Sequence, residues 1–228
     1  MNTHRFRLIV FDCDGTLVDS QASIVAAMTH TFKALDLAPP SAAQTRRVVG
    51  LSLDEAIARL LPPESSSGFV AKAAESYKHY FLTARQREDH AEPLYPGVIE
   101  TLRTLDTPDI CLGIATGKSR RGLEATLDRH GLGKHFVTLQ TADHGPGKPH
   151  PRMLHEAMRD VGASPAETVL VGDTVFDMEM AQNAGTAAIG VAWGYHEPGE
   201  LAAAGARHIL TQFTDIPASL QEIATSCA

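Results

Sequence analysis

The sequence predicts an α/β protein in which helices cover both faces of a parallel sheet. Short apolar runs of strand character alternate along the chain with longer stretches of helical periodicity. Glycines stand where the helical patterns end, at Gly131, Gly162, Gly185 and Gly205, as expected of C-terminal helix caps. Because strand–helix–strand connections make right-handed crossovers between parallel strands, the alternation indicates a three-layer α/β/α core of Rossmann-like type.

The predicted strands are short, rich in β-branched residues and bounded by turn residues. They are Leu8–Phe11, Ile110–Ala115, Phe136–Gln140, Thr168–Val171, Ala187–Ala192 and, at an edge of the sheet, His208–Leu210. The helices predicted between them are Gly97–Leu105, Ser119–His130, Pro151–Val161, Asp177–Ala184 and Glu197–Ala204.

The interval over residues 18–92 has no convincing strand and is longer than an ordinary connection between elements. We expect it to form a helical cap inserted after the first strand, with residues 1–17 and 93–228 forming the core. A continuous α/β domain with a decorated first crossover is the alternative. The predicted cap helices are Gln21–Leu37, Leu53–Leu61 and Phe69–Glu88, with a short one near Ala42–Val48.

Composition restricts the classes of function. The chain has 228 residues, of which 43% are hydrophobic and 21% charged, as in globular proteins with a sizeable core. The net charge of −7 argues against a nucleic-acid partner and means that an anionic substrate needs a local cation. Cys13, Cys111 and Cys227 are scattered, and no stretch is long and apolar enough for a signal peptide or a membrane span. These features predict a soluble, cytoplasmic protein that does not bind membranes.

Two aspartates mark the end of the first predicted strand. In an extended chain, residues two apart point the same way, so Asp12 and Asp14 project together while Cys13 turns into the packing. Two crowded carboxylates repel each other unless a cation or a shared proton lies between them. A metal ion or acid/base chemistry is the economical explanation for this pair.

The ends of three further strands carry residues that complement this pair. Thr116 follows the second strand, Lys148 follows the third, and Asp173 and Asp177 follow the fourth. The carboxyl ends of parallel strands line a common ligand crevice. Carboxylate oxygens suit Mg²⁺, and the hydroxyl and ammonium groups suit an anion bound beside it.

The order Asp-x-Asp-Gly-Thr, hydrophobic-Thr-Gly, Gly-Lys-Pro and Gly-Asp-x-x-x-Asp resembles the haloacid dehalogenase superfamily of Mg²⁺ phosphotransferases. The four motifs extend from Asp12 to Asp177, and the helical interval lies where the helical-cap subclass has its cap. The segments Leu17-Val18-Asp19-Ser20, Gly147-Lys148-Pro149-His150-Pro151 and Gly172-Asp173-Thr174 are most similar to the phosphoglycolate-phosphatase-like group.

The resemblance implies catalytic roles at the matching positions. Asp12 would be the nucleophile that forms an aspartyl-phosphate. Asp14 would protonate the leaving alcohol and then deprotonate the hydrolytic water. Thr116, Gly117 and Lys148 would hold the phosphoryl oxygens.

The resemblance also implies the metal ligands. Asp173 would bind Mg²⁺ together with Asp12 and the backbone carbonyl of Asp14. Asp177 would either bind the metal directly or position the metal ligands without touching the metal itself.

Particular residues separate the members of this superfamily. A carboxylate at Asp14 is expected where an alcohol must be protonated, which favours ester hydrolysis or phosphoryl transfer over cleavage of carbon–halogen or carbon–phosphorus bonds. The sugar-phosphate mutases carry a histidine and an arginine in the cap where ungapped matching gives Ile24 and Leu53. We therefore expect a phosphatase for a small phosphorylated metabolite, such as phosphoglycolate or a sugar phosphate. A β-phosphoglucomutase-like mutase and a non-catalytic phosphate- or partner-binding protein are the alternatives.

Five residues have weaker assignments. Arg46 and Arg47 either meet a second anionic group of the substrate or are two exposed helix arginines. Lys118 could contact the phosphate, but we expect a solvated lysine in the first turn of a helix. Ser20, like Asp19 beside it, either caps the first cap helix or lies at the hinge and touches the substrate. The chain is expected to be a monomer or a homodimer.

Overall fold

A computed structural model describes residues 6–84 and 91–226, and it contains a six-stranded sheet. Every neighbouring pair of strands is parallel, and the order is β3-β2-β1-β4-β5-β6. The strands are β1 (Leu8–Phe11), β2 (Cys111–Thr116), β3 (Thr138–Thr141), β4 (Thr168–Gly172), β5 (Ala187–Val191) and β6 (His208–Leu210). The predicted fold class, a parallel Rossmann-like α/β/α core with a helical insertion after the first strand, is confirmed.

Helices connect the strands and cover the sheet. They are α1 (Gln21–Ala34), α2 (Ala42–Arg46), α3 (Leu53–Leu60), α4 (Ser67–Ala84), α5 (Val98–Leu105), α6 (Arg120–His130), α7 (Arg152–Val161), α8 (Val175–Ala184), α9 (Pro198–Ala203) and α10 (Ile216–Ser226). The glycines predicted to end α6, α7 and α8 occupy left-handed C-cap positions, at Gly131, Gly162 and Gly185. No predicted helix corresponds to α10.

Side-chain alternation along β1 divides the core into two layers. Leu8 and Val10 lie in one apolar cluster, with residues of α7, α8 and α9. Ile9 and Phe11 lie in the other, with residues of α5, α6 and α10. Because successive strand residues face opposite sides of a sheet, β1 is buried on both faces, and its carboxyl end is held rigidly between them.

Helices α1 to α4 form an insert between β1 and α5, called here the helical insert. It has an apolar cluster of its own, in which Met28 and Phe32 of α1 meet Ile57 and Ala73 of α3 and α4. The helix predicted over Phe69–Glu88 begins two residues earlier, at Ser67, and its predicted end lies outside the described residues. The boundaries of a separate cap domain at residues 18–92 stay a prediction.

Two of the three cysteines lie in the described residues, and both are free thiols. Cys13 is buried in the packing beneath β1, as predicted, and Cys111 is half-buried. Cys227 lies outside the described residues. Across residues 6–84 and 91–226, no helix has the length and apolar character required to cross a membrane.

Candidate active site

Four buried charged side chains meet at the carboxyl edge of the sheet. Asp12 follows β1, Asp173 follows β4, Asp177 lies in the first turn of α8, and Lys148 lies in the loop after β3. Each is at most 1% exposed. The structure thus brings together residues that are up to 165 positions apart, from 12 to 177. Charged groups this deeply buried require partners, and here they are one another's partners.

Lys148 bridges two of the carboxylates. Its Nζ lies 2.8 Å from Asp12 Oδ2 and 2.6 Å from Asp177 Oδ1. Burial alone would lower the pKa of Lys148, but the carboxylates of Asp12 and Asp177 outweigh that effect and raise it. Lys148 is therefore a permanently charged group that fixes the positions of two acidic oxygens.

A third carboxylate, that of Asp173, lies beside the two that Lys148 pairs with. Oxygens of Asp12, Asp173 and Asp177 lie within 4.8 Å of one another. Burial, with a further contribution from Asp177, raises the pKa of Asp12 to about 7 despite the opposing effect of Lys148. Burial and the charges of Asp12 and Asp177 also raise the pKa of Asp173. The excess of negative charge and the all-oxygen donor set fit a hard divalent cation.

Asp173 is oriented by two hydrogen bonds. Thr16 Oγ1 donates to its Oδ1 at 2.7 Å, and the Tyr195 backbone N–H donates to its Oδ2 at 2.9 Å. Thr16 reaches this position because Gly15 turns the chain with φ of +86°. A Cβ at Gly15 would collide with Asp173 and with the Tyr195 ring, so this turn requires glycine.

Asp177 is oriented by the capping box that begins α8. Its Oδ2 accepts hydrogen bonds from the Thr174 N–H at 3.1 Å and from Thr174 Oγ1 at 2.7 Å. Its Oδ1 is left to face Lys148 at 2.6 Å. The same residue therefore starts the helix and supplies an acidic oxygen to the site.

Asp14 lies apart from the three-carboxylate cluster and has its own donors. Lys118 Nζ lies 2.8 Å from Asp14 Oδ1, and Ser20 Oγ donates to the same oxygen at 2.6 Å. The Ser20 hydroxyl also lies 3.1 Å from the Tyr195 hydroxyl. These contacts hold Oδ1 of Asp14 against Lys118 and Ser20. They thereby fix the direction in which Oδ2 points.

The structure differs from the expectations for Lys118 and Ser20. Lys118 was expected to be solvated, but its side chain is only 10% exposed and its Nζ also lies 5.7 Å from the centre of the Phe81 ring. Ser20 does stand at the N-cap of α1, but it makes no side-chain capping bond, because its hydroxyl is turned to Asp14.

Thr116 and Gly117 end β2 beside these carboxylates. Thr116 is buried, and its Oγ1 accepts a hydrogen bond of 3.2 Å from the Lys118 N–H. A Cβ at Gly117 would collide with the carbonyl oxygen of Leu51 and lie 2.9 Å from that of Gly50. The backbone of the helical insert therefore passes directly over the loop that follows β2.

A cavity of about 460 Å³ lies between the carboxyl edge of the sheet and the helical insert. Asp12, Asp14, Thr116, Gly117 and Lys118 line one end of it, and the remainder is lined by residues of the insert together with core residues of α6 and of the segment after β3. The candidate nucleophile and the candidate proton donor thus lie at one end of a cleft that could hold a small substrate.

Neither Arg46 nor Arg47 is among the described residues that line this cavity. Arg47 forms an ion pair of 2.6 Å with Glu200, at a position where both side chains are partly exposed. A role for these arginines in binding a second anionic group of the substrate is therefore not supported by their placement. Arg47 faces Glu200 of α9 at the protein surface.

Comparison with known proteins places this site in a family. The model of haloacid dehalogenase-like hydrolases matches residues 9–191, which include all but the first residue of β1, the insert and all four acidic residues of the site. The chain belongs to this family.

Relatives in the haloacid dehalogenase-like family match over nearly their whole length. The chain is 35% identical to "Probable phosphatase IndB" of Dickeya dadantii over 212 residues, which are 92% of this chain and 91% of that protein. It is 32% identical to "Phosphoglycolate phosphatase" of Vibrio vulnificus over 210 residues, or 89% and 91% of the two chains. A crystal structure of a predicted phosphoglycolate phosphatase from Haemophilus somnus superposes with a TM-score of 0.82, at 25% identity and over 94% and 98% of the two chains.

The roles of several residues in this haloacid dehalogenase-like site were not assigned from the sequence. Thr16 and Tyr195 orient Asp173, and Lys118 and the nearby Ser20 hold Asp14. For Lys118, the one available signal was its position directly after Thr116-Gly117 at a predicted strand end. Tyr195 lies after β5, whose carboxyl end must lie at the same edge of the parallel sheet as the ends of β1 and β4.

Proposed function

We propose that this protein is a Mg²⁺-dependent phosphatase that hydrolyses small phosphomonoesters through an aspartyl-phosphate on Asp12. The observation that carries the proposal is that Asp12 and Asp14 lie in two different surroundings at the same end of the cavity. Asp12 belongs to the buried metal-type cluster beside Lys148, whereas Asp14 is held separately at the same end of the cavity. Phosphoryl transfer requires positioning and neutralisation of charge, and these groups supply both.

The side chains of Asp12, Asp173 and Asp177 would hold the metal, together with the backbone carbonyl of Asp14. Bound there, Mg²⁺ would neutralise negative charge on the phosphoryl group and so let a carboxylate approach it. Lys148 would supply a fixed positive charge beside Asp12. The hydroxyl of Thr116 and the N–H of Gly117 would donate hydrogen bonds to the phosphoryl oxygens.

Asp12 is positioned for attack by two contacts. Its Oδ1 accepts a hydrogen bond of 2.6 Å from the Cys13 N–H, and its Oδ2 lies 2.8 Å from Lys148 Nζ. A carboxylate oxygen of Asp12 would form a bond to phosphorus while the bond to the ester oxygen breaks, and Asp14 would give its proton to the departing alcohol. Asp14 would then accept a proton from the water that attacks phosphorus, which releases phosphate and restores Asp12.

The cavity favours a phosphatase over a mutase. Ile24 and Leu53 stand at the positions matched to the mutases' cap histidine and arginine, and both line the cavity with apolar side chains. A mutase must transfer a proton and bind a second phosphate, and these apolar side chains can do neither. The presence of Asp12, Asp14, Lys148 and Asp173 together also disfavours a protein that only binds.

The substrate class and setting follow from the relatives and the composition. Because matched proteins are named phosphatases, one of them for phosphoglycolate, we take a small phosphorylated metabolite as the substrate. The net charge of −7 argues against a nucleic-acid partner, and the scattered free cysteines favour the cytoplasm. The protein would act there as a monomer or a homodimer.

The test is release of inorganic phosphate from a panel of phosphomonoesters and inorganic pyrophosphate, with Mg²⁺ and with a chelator. Wild type, Asp12→Asn and Asp128→Asn are compared, the last being a matched change on an exposed residue of α6. We expect Mg²⁺-dependent release by wild type and Asp128→Asn, and none above background by Asp12→Asn. Release that persists in Asp12→Asn, or none by wild type from any compound, would refute the proposal.

A further inference from the structure

We propose that the preferred substrate is a phosphomonoester whose alcohol carries an apolar group the size of a ring, and not a short acid such as phosphoglycolate. This inference rests on the proposed phosphatase activity and specifies the part of the substrate that enters the helical insert. It comes from the walls of the cavity, whose chemistry differs from that of its acidic end.

The wall contributed by the helical insert is predominantly apolar. Its side chains come from α1, from the segment between α2 and α3, from α3 itself and from α4. They are Ile24, Met28, Val48, Val49, Leu51, Leu53, Ala56, Tyr77, Phe81 and Leu82. Such a surface gains free energy from contact with an apolar group, whereas a carboxylate brought against it loses its hydration without replacement.

The size of the cavity supports the same conclusion. Its volume of about 460 Å³ lies in the range of roughly 300–1,000 Å³ found for sites that enclose drug-sized ligands. A two-carbon acid bound through its phosphate at Asp12 would stay near the acidic end. It would leave the apolar wall of the insert facing water.

Three cations are among the described residues that line the cavity, Lys78, Lys118 and Arg121. The two lysines are already paired with acidic side chains of the protein. Lys118 is paired with Asp14 at 2.8 Å, and Lys78 is paired with Glu75 at 2.9 Å. Arg121 is an exposed residue of α6. A carboxylate near the reacting phosphate would have to compete with Asp14 for Lys118.

The apolar wall begins beside the proton donor. Lys118 Nζ is shared between Asp14 Oδ1, at 2.8 Å, and the face of the Phe81 ring, at 5.7 Å from its centre. An ester oxygen placed to receive the proton of Asp14 therefore has Phe81 of α4 close by. A carbon substituent on that oxygen would lie within reach of Phe81, which lines the cavity together with Tyr77.

The experiment compares three substrates with the full-length chain and Mg²⁺: ethyl phosphate, 2-phosphoglycolate and benzyl phosphate. Ethanol and benzyl alcohol are leaving groups of similar basicity, so a difference between their esters reports binding of the ring. We expect kcat/KM for benzyl phosphate to exceed that for ethyl phosphate by at least about tenfold, as burial of a phenyl group would give. It should also exceed that for 2-phosphoglycolate.

A pair of variants assigns the effect to the cavity. Val49→Asp puts a carboxylate on the apolar wall, and Val137→Asp makes the same change at a residue 63% exposed and outside the cavity lining. We expect Val49→Asp to reduce the benzyl-to-ethyl ratio of kcat/KM several-fold, and Val137→Asp to leave it unchanged. Because the ratio compares two substrates on one protein, partial unfolding of a variant cannot produce the result.

The outcomes separate the two proposals. Mg²⁺-dependent hydrolysis of all three esters with no preference for benzyl phosphate, or with a preference for 2-phosphoglycolate, overturns the inference and leaves the phosphatase assignment intact. A benzyl preference that Val49→Asp leaves unchanged overturns the inference as well, since the preference then arises elsewhere. No hydrolysis of any ester overturns the phosphatase assignment and this inference with it.

Discussion

Lys118 Nζ lies 2.8 Å from Asp14 Oδ1, and this ion pair joins the proposed proton donor to the loop after β2. Burial alone would lower the pKa of Lys118, but Asp14 and neighbouring acidic groups raise it. The lysine is thus charged throughout the neutral range. Together with Ser20, which donates to the same oxygen at 2.6 Å, it determines which way the other carboxylate oxygen of Asp14 points.

Lys118→Met should impair protonation of the leaving group more than any other step. A positioned acid contributes roughly 10²–10⁴-fold to such a reaction, and we expect loss of its orientation to remove about tenfold or more of that. The fall in kcat should be large for ethyl phosphate and small for p-nitrophenyl phosphate, whose leaving group hardly needs a proton. The measurement is kcat for both esters, with Lys33→Met on the exposed surface of α1 as the matched control. An equal fall for the two esters would show that Lys118 does not act through Asp14.

Lys148→Met should destabilise the metal-free protein. Lys148 is fully buried between Asp12 and Asp177, so its removal leaves three neighbouring carboxylates without a cation. Loss of one partner from a buried ion pair typically costs about 3–5 kcal/mol of unfolding free energy. Because a divalent cation in the same cluster would replace part of the lost charge, Mg²⁺ should raise the Tm of Lys148→Met more than that of wild type. Urea unfolding and thermal scans with and without Mg²⁺ test this, and an equal Mg²⁺ effect on both proteins would count against the proposed metal site.

The strands and the acidic cluster were predictable because their signals are local. Asp12 and Asp173 each follow an apolar run of strand character, and parallel topology then requires those strand ends to meet. The residues that orient the acidic side chains were not predictable in the same way. The contacts of Asp14 with Lys118 and of Asp173 with Tyr195 depend on how segments 104 and 22 positions apart pack. The pairing of Arg47 with Glu200 depends equally on where the insert lies against the core.

Stability without metal should depend on pH through Asp12, whose pKa rises from 3.8 to about 7 on folding. A carboxyl group with a raised pKa keeps its proton in the folded protein where the unfolded chain has lost it. Its contribution to stability is therefore complete below about pH 4 and is lost as the pH rises to 7. Mg²⁺ competes with that proton, so we expect it to stabilise the protein more at pH 7.5 than at pH 5. Thermal unfolding at both pH values, with chelator and with Mg²⁺, measures the difference. A Mg²⁺ effect independent of pH would mean that the metal does not displace a proton from this cluster.

Gly117→Ala should push the helical insert away from the carboxyl edge of the sheet, where the proposed catalytic residues lie. A Cβ at this position would collide with the carbonyl oxygen of Leu51 and lie 2.9 Å from that of Gly50, and backbone atoms yield less readily than flexible side chains. Overpacking of this kind typically destabilises by about 1–3 kcal/mol, and here it also widens the cavity whose floor contains Asp12 and Asp14. We expect phosphate release to fall by an order of magnitude or more, with a rise in KM for benzyl phosphate. Gly133→Ala is the matched control, because a Cβ there meets nothing within 4 Å and should leave both stability and turnover unchanged. If Gly117→Ala turned over substrate like Gly133→Ala, the close passage of the insert over Gly117 would not matter for catalysis.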